Sequence, residues 1–171
     1  MRSFLLDALR RGPATVRPPA PGPAALEELA KALAERARQR LGRSLAIREV
    51  DAGSCNGCEL EINALNNPVY DVERFGLKFV ASPRHADVFL VTGPVTWNMR
   101  EALLRAYNAA PEPKWVVGVG DCAANCGVFA GSDAVVGPLA SVLPVDLHIG
   151  GCPPAPMEIV KGLLALMEKA G

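Results

Sequence analysis

The chain has 171 residues, of which half are apolar, and it carries 18 basic side chains, 18 acidic side chains and five cysteines. This length and apolar content suit one globular domain that buries its own core without disulfide support. Because the formal net charge is zero, no overall field favours an anionic partner. We therefore expect no nucleic-acid partner.

Residues 1–23 are predicted to form a short head and a proline-rich linker, ahead of an α/β domain over residues 24–171. Five prolines between Gly12 and Pro23 favour extended backbone over helix or sheet. The head places Phe4, Leu5, Ala8 and Leu9 at helical spacing. It is expected to be either a solvated tail or a segment that docks on a membrane subunit.

The location of the protein follows from what the sequence lacks. Asp7 interrupts the apolar start at Phe4-Leu5-Leu6, so we predict no secretory signal and a cytoplasmic chain. No stretch approaches the roughly 18 apolar residues that span a bilayer. Attachment to a membrane is therefore expected to be peripheral and held through partner subunits.

After the linker, strands and helices alternate, which predicts a doubly wound α/β fold. We expect a mainly parallel sheet with helices on both faces, because Val88–Val91 and Trp115–Val117 lack polar alternation. The predicted strands cover residues 45–50, 77–81, 87–92, 114–119 and 145–149, and the predicted helices cover 24–41, 59–66, 97–109 and 155–170.

Four of the five cysteines follow predicted strands: Cys55, Cys58, Cys122 and Cys152. The loops at the carboxyl ends of parallel strands meet along one edge of a sheet, so the four thiols are expected to share one site there. Clustered cysteines in a reducing compartment are more often metal ligands than disulfides. Four thiolates suit one 4Fe-4S cluster.

The local sequence around these cysteines favours a cluster over the alternatives. Gly57 allows a tight turn between Cys55 and Cys58, although thioredoxin-type redox pairs share this spacing. Pro153 follows Cys152, a recurring feature of iron-sulfur loops. A structural zinc site is the main inorganic alternative, but zinc ligands usually come as two short-spaced pairs.

Four further residues are predicted near the ligands. Cys126 is the spare thiol, expected to be a packing residue, a neighbour of the ligands or a redox liability. Glu59 and Glu61 follow the first cysteine pair, where a helix start stabilises carboxylates, and a proton relay is the alternative role. Arg84 is predicted to dock a partner or to tune the cluster by its charge.

Six segments carry a family resemblance: residues 51–61 (DAGSCNGCELE), 82–91 (SPRHADVFLV), 92–96 (TGPVT), 111–115 (PEPKW), 120–122 (GDC) and 144–154 (PVDLHIGGCPP). They resemble the small subunit of membrane-bound, energy-converting nickel-iron hydrogenases. They are also similar to the homologous cluster subunit of respiratory complex I, the 20 kDa NADH-quinone oxidoreductase family. The resemblance covers roughly residues 46–167.

The resemblance implies an electron-transfer subunit of an oxidoreductase complex that has no activity alone. Its ligands for one 4Fe-4S cluster would be Cys55, Cys58, Cys122 and Cys152. Its expected partners are a large hydrogenase-like catalytic subunit, a ferredoxin-like iron-sulfur subunit and membrane subunits.

The CNGC segment favours the hydrogenase branch, because the complex I branch typically has two adjacent cysteines at this position. Two alternatives stay open. One is a complex I-type subunit whose cluster reduces quinone at the interface with the large subunit. The other is a relay in a hydrogenase-related complex without nickel.

Overall fold

The computed structural model describes residues 23–169. Apart from Pro23, the predicted head and linker lie outside this range, and so does the end of the last predicted helix. The boundary between linker and domain therefore stays a prediction. Among the helices within residues 23–169, none has the length and apolar character that crossing a membrane requires.

Five parallel strands form the central sheet, which confirms the predicted α/β class. From one edge to the other they are β2 (Leu77–Phe79), β1 (Leu45–Asp51), β3 (Val88–Thr92), β5 (Trp115–Val119) and β7 (Leu147–Ile149). Every residue of β3 and β5 is buried, as expected for apolar strands covered on both faces.

Helices cover both faces of this sheet. Three of them, α1 (Pro23–Leu41), α2 (Gly57–Ala64) and α5 (Pro156–Lys169), lie on the face that carries Ile47 and Leu90. The opposite face, which carries Phe89, packs against α3 (Trp97–Ala109). The apolar stripe of α1 is buried in the core, so this helix is a packing element of the domain.

The register of the sheet brings four strand ends to one level. Asp51, the last residue of β1, pairs with Thr92, and Thr92 pairs with Val119. Val119 in turn pairs with Ile149, the last residue of β7. Because these four residues end their strands side by side, the loops that follow leave the sheet along one line.

Two aspartates at the amino ends of the strands stabilise this register. Asp87, which is 2% exposed, immediately precedes β3, and its Oδ2 accepts hydrogen bonds from Ala46 N and Arg43 Nη1, each at 2.9 Å. Asp146 immediately precedes β7, and its Oδ2 accepts from Val116 N at 2.7 Å. Each carboxylate thus binds a backbone N–H of the neighbouring strand, which opposes slippage of the pair.

A two-stranded ribbon and a short α-helix in the described residues were not predicted. A two-stranded antiparallel ribbon joins β4 (Val95–Thr96) to β6 (Val135–Gly137). A short helix, α4 (Asp121–Asn125), follows β5 directly. The ribbon consists of short segments that sequence periodicity cannot distinguish from loops.

Replacing Asp87 with alanine should lower the free energy of unfolding by about 2 to 3 kcal/mol, because it leaves the buried Ala46 N–H without an acceptor. Urea unfolding followed by circular dichroism measures this loss. The matched control is Glu101→Ala, which removes an exposed pair with Arg105 and should cost less than about 1 kcal/mol. Equal losses in the two variants would contradict the role given to Asp87.

Candidate metal centre

Four thiols surround one cavity at the carboxyl ends of the strands. The cavity has a volume of about 100 Å³, and its lining includes Cys55, Cys58, Cys122 and Cys152. Cys55 and Cys152 are exposed at its mouth, whereas Cys58 and Cys122 are half-buried. Three separate loops therefore deliver their cysteines to one place.

The first loop is shaped by a carboxylate and a hydroxyl group. At the end of β1, Asp51 Oδ1 accepts hydrogen bonds from Gly53 N and Ser54 N, both at 2.7 Å. Ser54 Oγ accepts from Asn56 N at 3.0 Å and donates to Glu59 Oε1 at 2.6 Å. These bonds turn the chain sharply between β1 and α2, so that the two cysteines of this loop lie on either side of the start of α2.

Reciprocal hydrogen bonds join the loop that carries Cys122 to the loop that carries Cys152. Asp121 N donates to Gly151 O at 2.9 Å, and Gly151 N donates to Asp121 Oδ1 at 2.8 Å. Asp121 immediately precedes Cys122, and Gly151 immediately precedes Cys152. The spacing of these two thiols is therefore fixed by residues next to them in the chain.

Two glycines leave room for the sulfur atoms. A Cβ atom added at Gly120 would lie 2.5 Å from Cys58 Sγ, and one added at Gly127 would lie 2.7 Å from Cys122 Sγ. Both glycines also have positive φ angles, +87° and +49°, which side chains disfavour. The site thus requires glycine at both positions on two independent grounds.

The electrostatics of the cavity favour a cation. The pKa of Cys58 is raised to about 12, first by burial and then by the negative charges of Glu59, Cys122, Cys55 and Cys152. Burial also raises the pKa of Cys122, and the thiolates of Cys152 and Cys55 add to this effect. Four thiolates at such close range repel one another, and bound metal ions reverse this balance by holding thiols in the deprotonated form.

The thiols are not arranged for a single ion. Among residues 23–169, no group of three histidine, cysteine, aspartate or glutamate side chains is placed to hold one metal ion. In an iron-sulfur cubane each thiolate binds a different iron, so its ligands are spread around a larger core than the ligands of one tetrahedral zinc. Four thiols that line one cavity without grouping around a single ion fit a cluster in this respect.

The other predicted site residues take different positions. Glu59 is buried at the start of α2, and Glu61 is half-buried. Cys126 is 7% exposed and ends α4 with a φ of 67°. Arg84 lies in a turn before β3, at the amino end of a strand whose carboxyl end faces the cavity, so the fold does not bring it to the four thiols.

Sequence reasoning missed the two aspartates that shape the loops, Asp51 and Asp121. Each stands at the junction where a strand gives way to a cysteine loop. A carboxylate at such a junction is a signal that could have been used, since aspartate commonly accepts hydrogen bonds from backbone N–H groups two or three residues on.

The family of the chain follows from comparison with known proteins. Residues 55–166 match the family described as NADH ubiquinone oxidoreductase, 20 Kd subunit. The chain belongs to this family. The matched segment begins at the first cysteine of the cavity and includes the other three, and the resemblance predicted from the sequence is thereby confirmed.

Individual relatives come from several oxidoreductase complexes. The "Probable membrane-bound hydrogenase subunit mbhJ" of Pyrococcus furiosus is 46% identical over 75% of this chain and 77% of its own length. A subunit of the NADH-quinone oxidoreductase of Heliobacterium modesticaldum is 42% identical over 66% of this chain and 65% of its own length.

A solved structure extends this similarity to the fold. A chain of the membrane-bound sulfane sulfur reductase, an archaeal respiratory membrane complex, superimposes with a TM-score of 0.66 and 36% identity. The superposition covers 80% of this chain and 74% of the other. The relatives are thus subunits of oxidoreductase complexes, as the sequence predicted.

Replacing Gly120 with alanine should strongly reduce the iron bound per chain, because the new methyl group would displace Cys58 Sγ from the cavity. Iron and acid-labile sulfide analysis after anaerobic purification measures the loss. Gly131→Ala is the matched control: its φ is +81°, but nothing lies within 4 Å of the added Cβ. The control should therefore show the backbone strain alone and keep its iron; equal loss in both variants would contradict the steric argument.

Proposed function

We propose that this protein is an electron-transfer subunit that holds one 4Fe-4S cluster in a membrane-associated nickel-iron hydrogenase complex. The observation that carries the proposal is the ring of four thiols, Cys55, Cys58, Cys122 and Cys152, around one cavity. Such a cluster, when bound, accepts and donates single electrons. The protein relays electrons between a large catalytic subunit and a ferredoxin-like iron-sulfur subunit.

The residues of this chain set the surroundings of the cluster. The four cysteines supply the ligands, and the half-buried Cys58 and Cys122 place one side of the site away from water. Glu59, buried beside Cys58, adds a negative charge. Ligand hydrogen bonding, local charge and solvent exposure are the means by which a protein tunes cluster potential.

The arrangement of the thiols supports a cluster over zinc, the alternative left open by the sequence. A structural zinc site brings its ligands to within about 2.3 Å of one ion, and no three candidate ligands within residues 23–169 are so arranged. The three-loop origin of the ligands also differs from the short-spaced pairs typical of zinc.

Two observations support the hydrogenase branch. The Pyrococcus furiosus hydrogenase subunit is similar over more of this chain than the quinone oxidoreductase subunit is, and the CNGC segment separates the first two cysteines. The runner-up is a complex I-type subunit whose cluster reduces quinone at the interface with the large subunit. Similarity to the sulfane sulfur reductase supports a third possibility, a relay in a related complex without nickel.

Two exposed apolar side chains, on segments that follow β3 and β5, support a large partner at this end of the sheet. Trp97 is 61% exposed and Val128 is 84% exposed. Trp97 follows the β3 loop, and Val128 follows α4, so both lie beyond the carboxyl ends of central strands. Large exposed apolar side chains around a functional cavity are typical of a protein interface. We infer that the large subunit lies here, with attachment to the membrane through further subunits on the cytoplasmic side.

Replacing Cys122 with serine should abolish the electron paramagnetic resonance signal of the reduced cluster, whereas Cys126→Ser should keep it. Cys122 lines the cavity and Cys126 is buried outside its lining. Anaerobic purification of the complex, followed by iron, sulfide, zinc and nickel analysis, accompanies the spectra. Protein with zinc as its only metal would overturn the cluster, and a complex without nickel would overturn the hydrogenase assignment while leaving the electron relay.

Replacing Trp97 with glutamate should reduce recovery of the large subunit at least tenfold, because a charge would have to be buried in an apolar interface. Quantitative co-purification measures the effect, and iron content shows that the cluster is kept. Val69→Glu is the matched control, because Val69 is 73% exposed but lies beyond the far end of α2. Equal recovery from both variants would place the interface elsewhere.

A further inference from the structure

The turn that follows α4 passes beside one sulfur atom of the cavity. This turn, Gly127–Phe129, is a short 3-10 helix. It begins one helical turn after Cys122, because Cys126 N donates to Cys122 O at 2.9 Å. A Cβ atom added at Gly127 would lie 2.7 Å from Cys122 Sγ, so the backbone at the start of the turn lies close to this sulfur.

The N–H groups of the turn have different acceptors. Gly127 N donates to Asn125 Oδ1 at 2.9 Å, and Phe129 N donates to Cys126 O at 2.9 Å. The N–H of Val128, which lies between them in the chain, donates to a sulfur atom instead. One N–H group of the turn is therefore directed into the cavity, and its neighbours maintain the turn.

The pKa of Cys122 reflects this contact. Burial raises this pKa first, and the charges of Cys152 and Cys55 add to that effect, whereas a hydrogen bond from the Val128 N–H lowers it. A donor lowers the pKa of a thiol by stabilising the thiolate, which is the form that binds metals. The Val128 N–H is therefore oriented to stabilise a negative charge on this sulfur.

The backbone conformation that makes this contact is uncommon. Cys126 has a φ of 67° and Gly127 a φ of 49°, and residues other than glycine rarely adopt such angles. Turns that contain left-handed residues form concavities lined by N–H groups, which bind anions and occur in many iron-sulfur sites. The Val128 side chain is 84% exposed, so the contribution of this residue to the cavity comes from its backbone.

We propose that Val128 is a positioning residue for the cluster, because its backbone N–H donates a hydrogen bond to the Cys122 thiolate and thereby raises the reduction potential. Reduction by an external one-electron donor adds negative charge to the cluster and its thiolates, and a hydrogen bond strengthens as its acceptor becomes more negative. The bond thus stabilises the reduced form more than the oxidised form. The hydrogen stays on the nitrogen in both forms, so no proton is transferred. This inference rests on the proposed function, since it requires a bound cluster.

The first test locates the bond with an isotope label. The full-length chain is purified anaerobically with its partner subunits from cells grown on valine labelled with nitrogen-15, and it is reduced with dithionite. Pulsed electron paramagnetic resonance should then show a weak coupling between the cluster and a labelled nitrogen. Val128→Ala keeps the N–H but replaces the labelled nitrogen, so it should lose this coupling and keep the wild-type midpoint potential.

The matched control for the label is Val69→Ala, which changes an exposed valine beyond the far end of α2. This variant should keep the coupling. A spectrum of Val128→Ala identical to that of the wild type would overturn the proposed hydrogen bond, and this result does not depend on any change in the backbone.

The second test removes the N–H alone. Incorporation of 2-hydroxyisovaleric acid in place of Val128 replaces the amide with an ester of nearly the same shape. At a fixed potential the ratio of reduced to oxidised cluster should fall by up to about tenfold, an effect of the size that one hydrogen bond supplies. This change corresponds to a midpoint potential lower by up to about 59 mV for a one-electron couple.

The matched control for the ester is phenyllactic acid in place of Phe129, because that N–H donates to Cys126 O and not to a sulfur. It should keep the wild-type potential. A wild-type potential in the Val128 ester, or equal shifts in the two esters, would overturn the role of Val128. Iron and sulfide analysis distinguishes this outcome from failure of the proposed function, since wild-type protein without a cluster would overturn both.

Discussion

The level alignment of four strand ends is the constraint on which the site depends. Asp51, Thr92, Val119 and Ile149 pair across the sheet in one row, and each cysteine loop leaves from this row. A slip of one residue between two strands would move a loop along the strand axis by about 3.3 Å and reverse the faces of its side chains. The carboxylates of the buried Asp87 and the exposed Asp146, at the amino ends of the strands, oppose such slips, so residues far from the cavity determine whether the thiols meet.

The cavity brings together groups that repel one another when no metal is bound. Cys58 and Cys122 are held in partly buried positions where their charged forms are disfavoured, and Glu59 adds a further negative charge. The rigid sheet supplies the stability that keeps these groups in place, as is common where a fold carries a functional site. Binding of iron to the thiols would turn this repulsion into attraction, so folding and metal binding are expected to reinforce each other.

The sequence was sufficient for the parallel sheet, for most helix bounds and for bringing four cysteines to one cavity, because continuous apolar strands and strand-end motifs are strong local signals. The role of these cysteines as ligands stays a prediction. The sequence was insufficient for α4 and for the ribbon of β4 and β6, which are short and depend on tertiary contacts. The position of Arg84 also could not be predicted from the sequence. Only the direction of β3 shows that Arg84 lies at the amino end of this strand, away from the cysteine cavity.

The exposed mouth of the cavity has a consequence for biogenesis. Cys55 and Cys152 are open to solvent, and the apolar Trp97 surface lies at the same edge of the sheet. If a large subunit covers this edge, iron and sulfide can reach the thiols only beforehand, so maturation would proceed in a fixed order, with loading first and docking second. A chain that docked empty would be trapped in a form that the cell cannot repair without taking the complex apart.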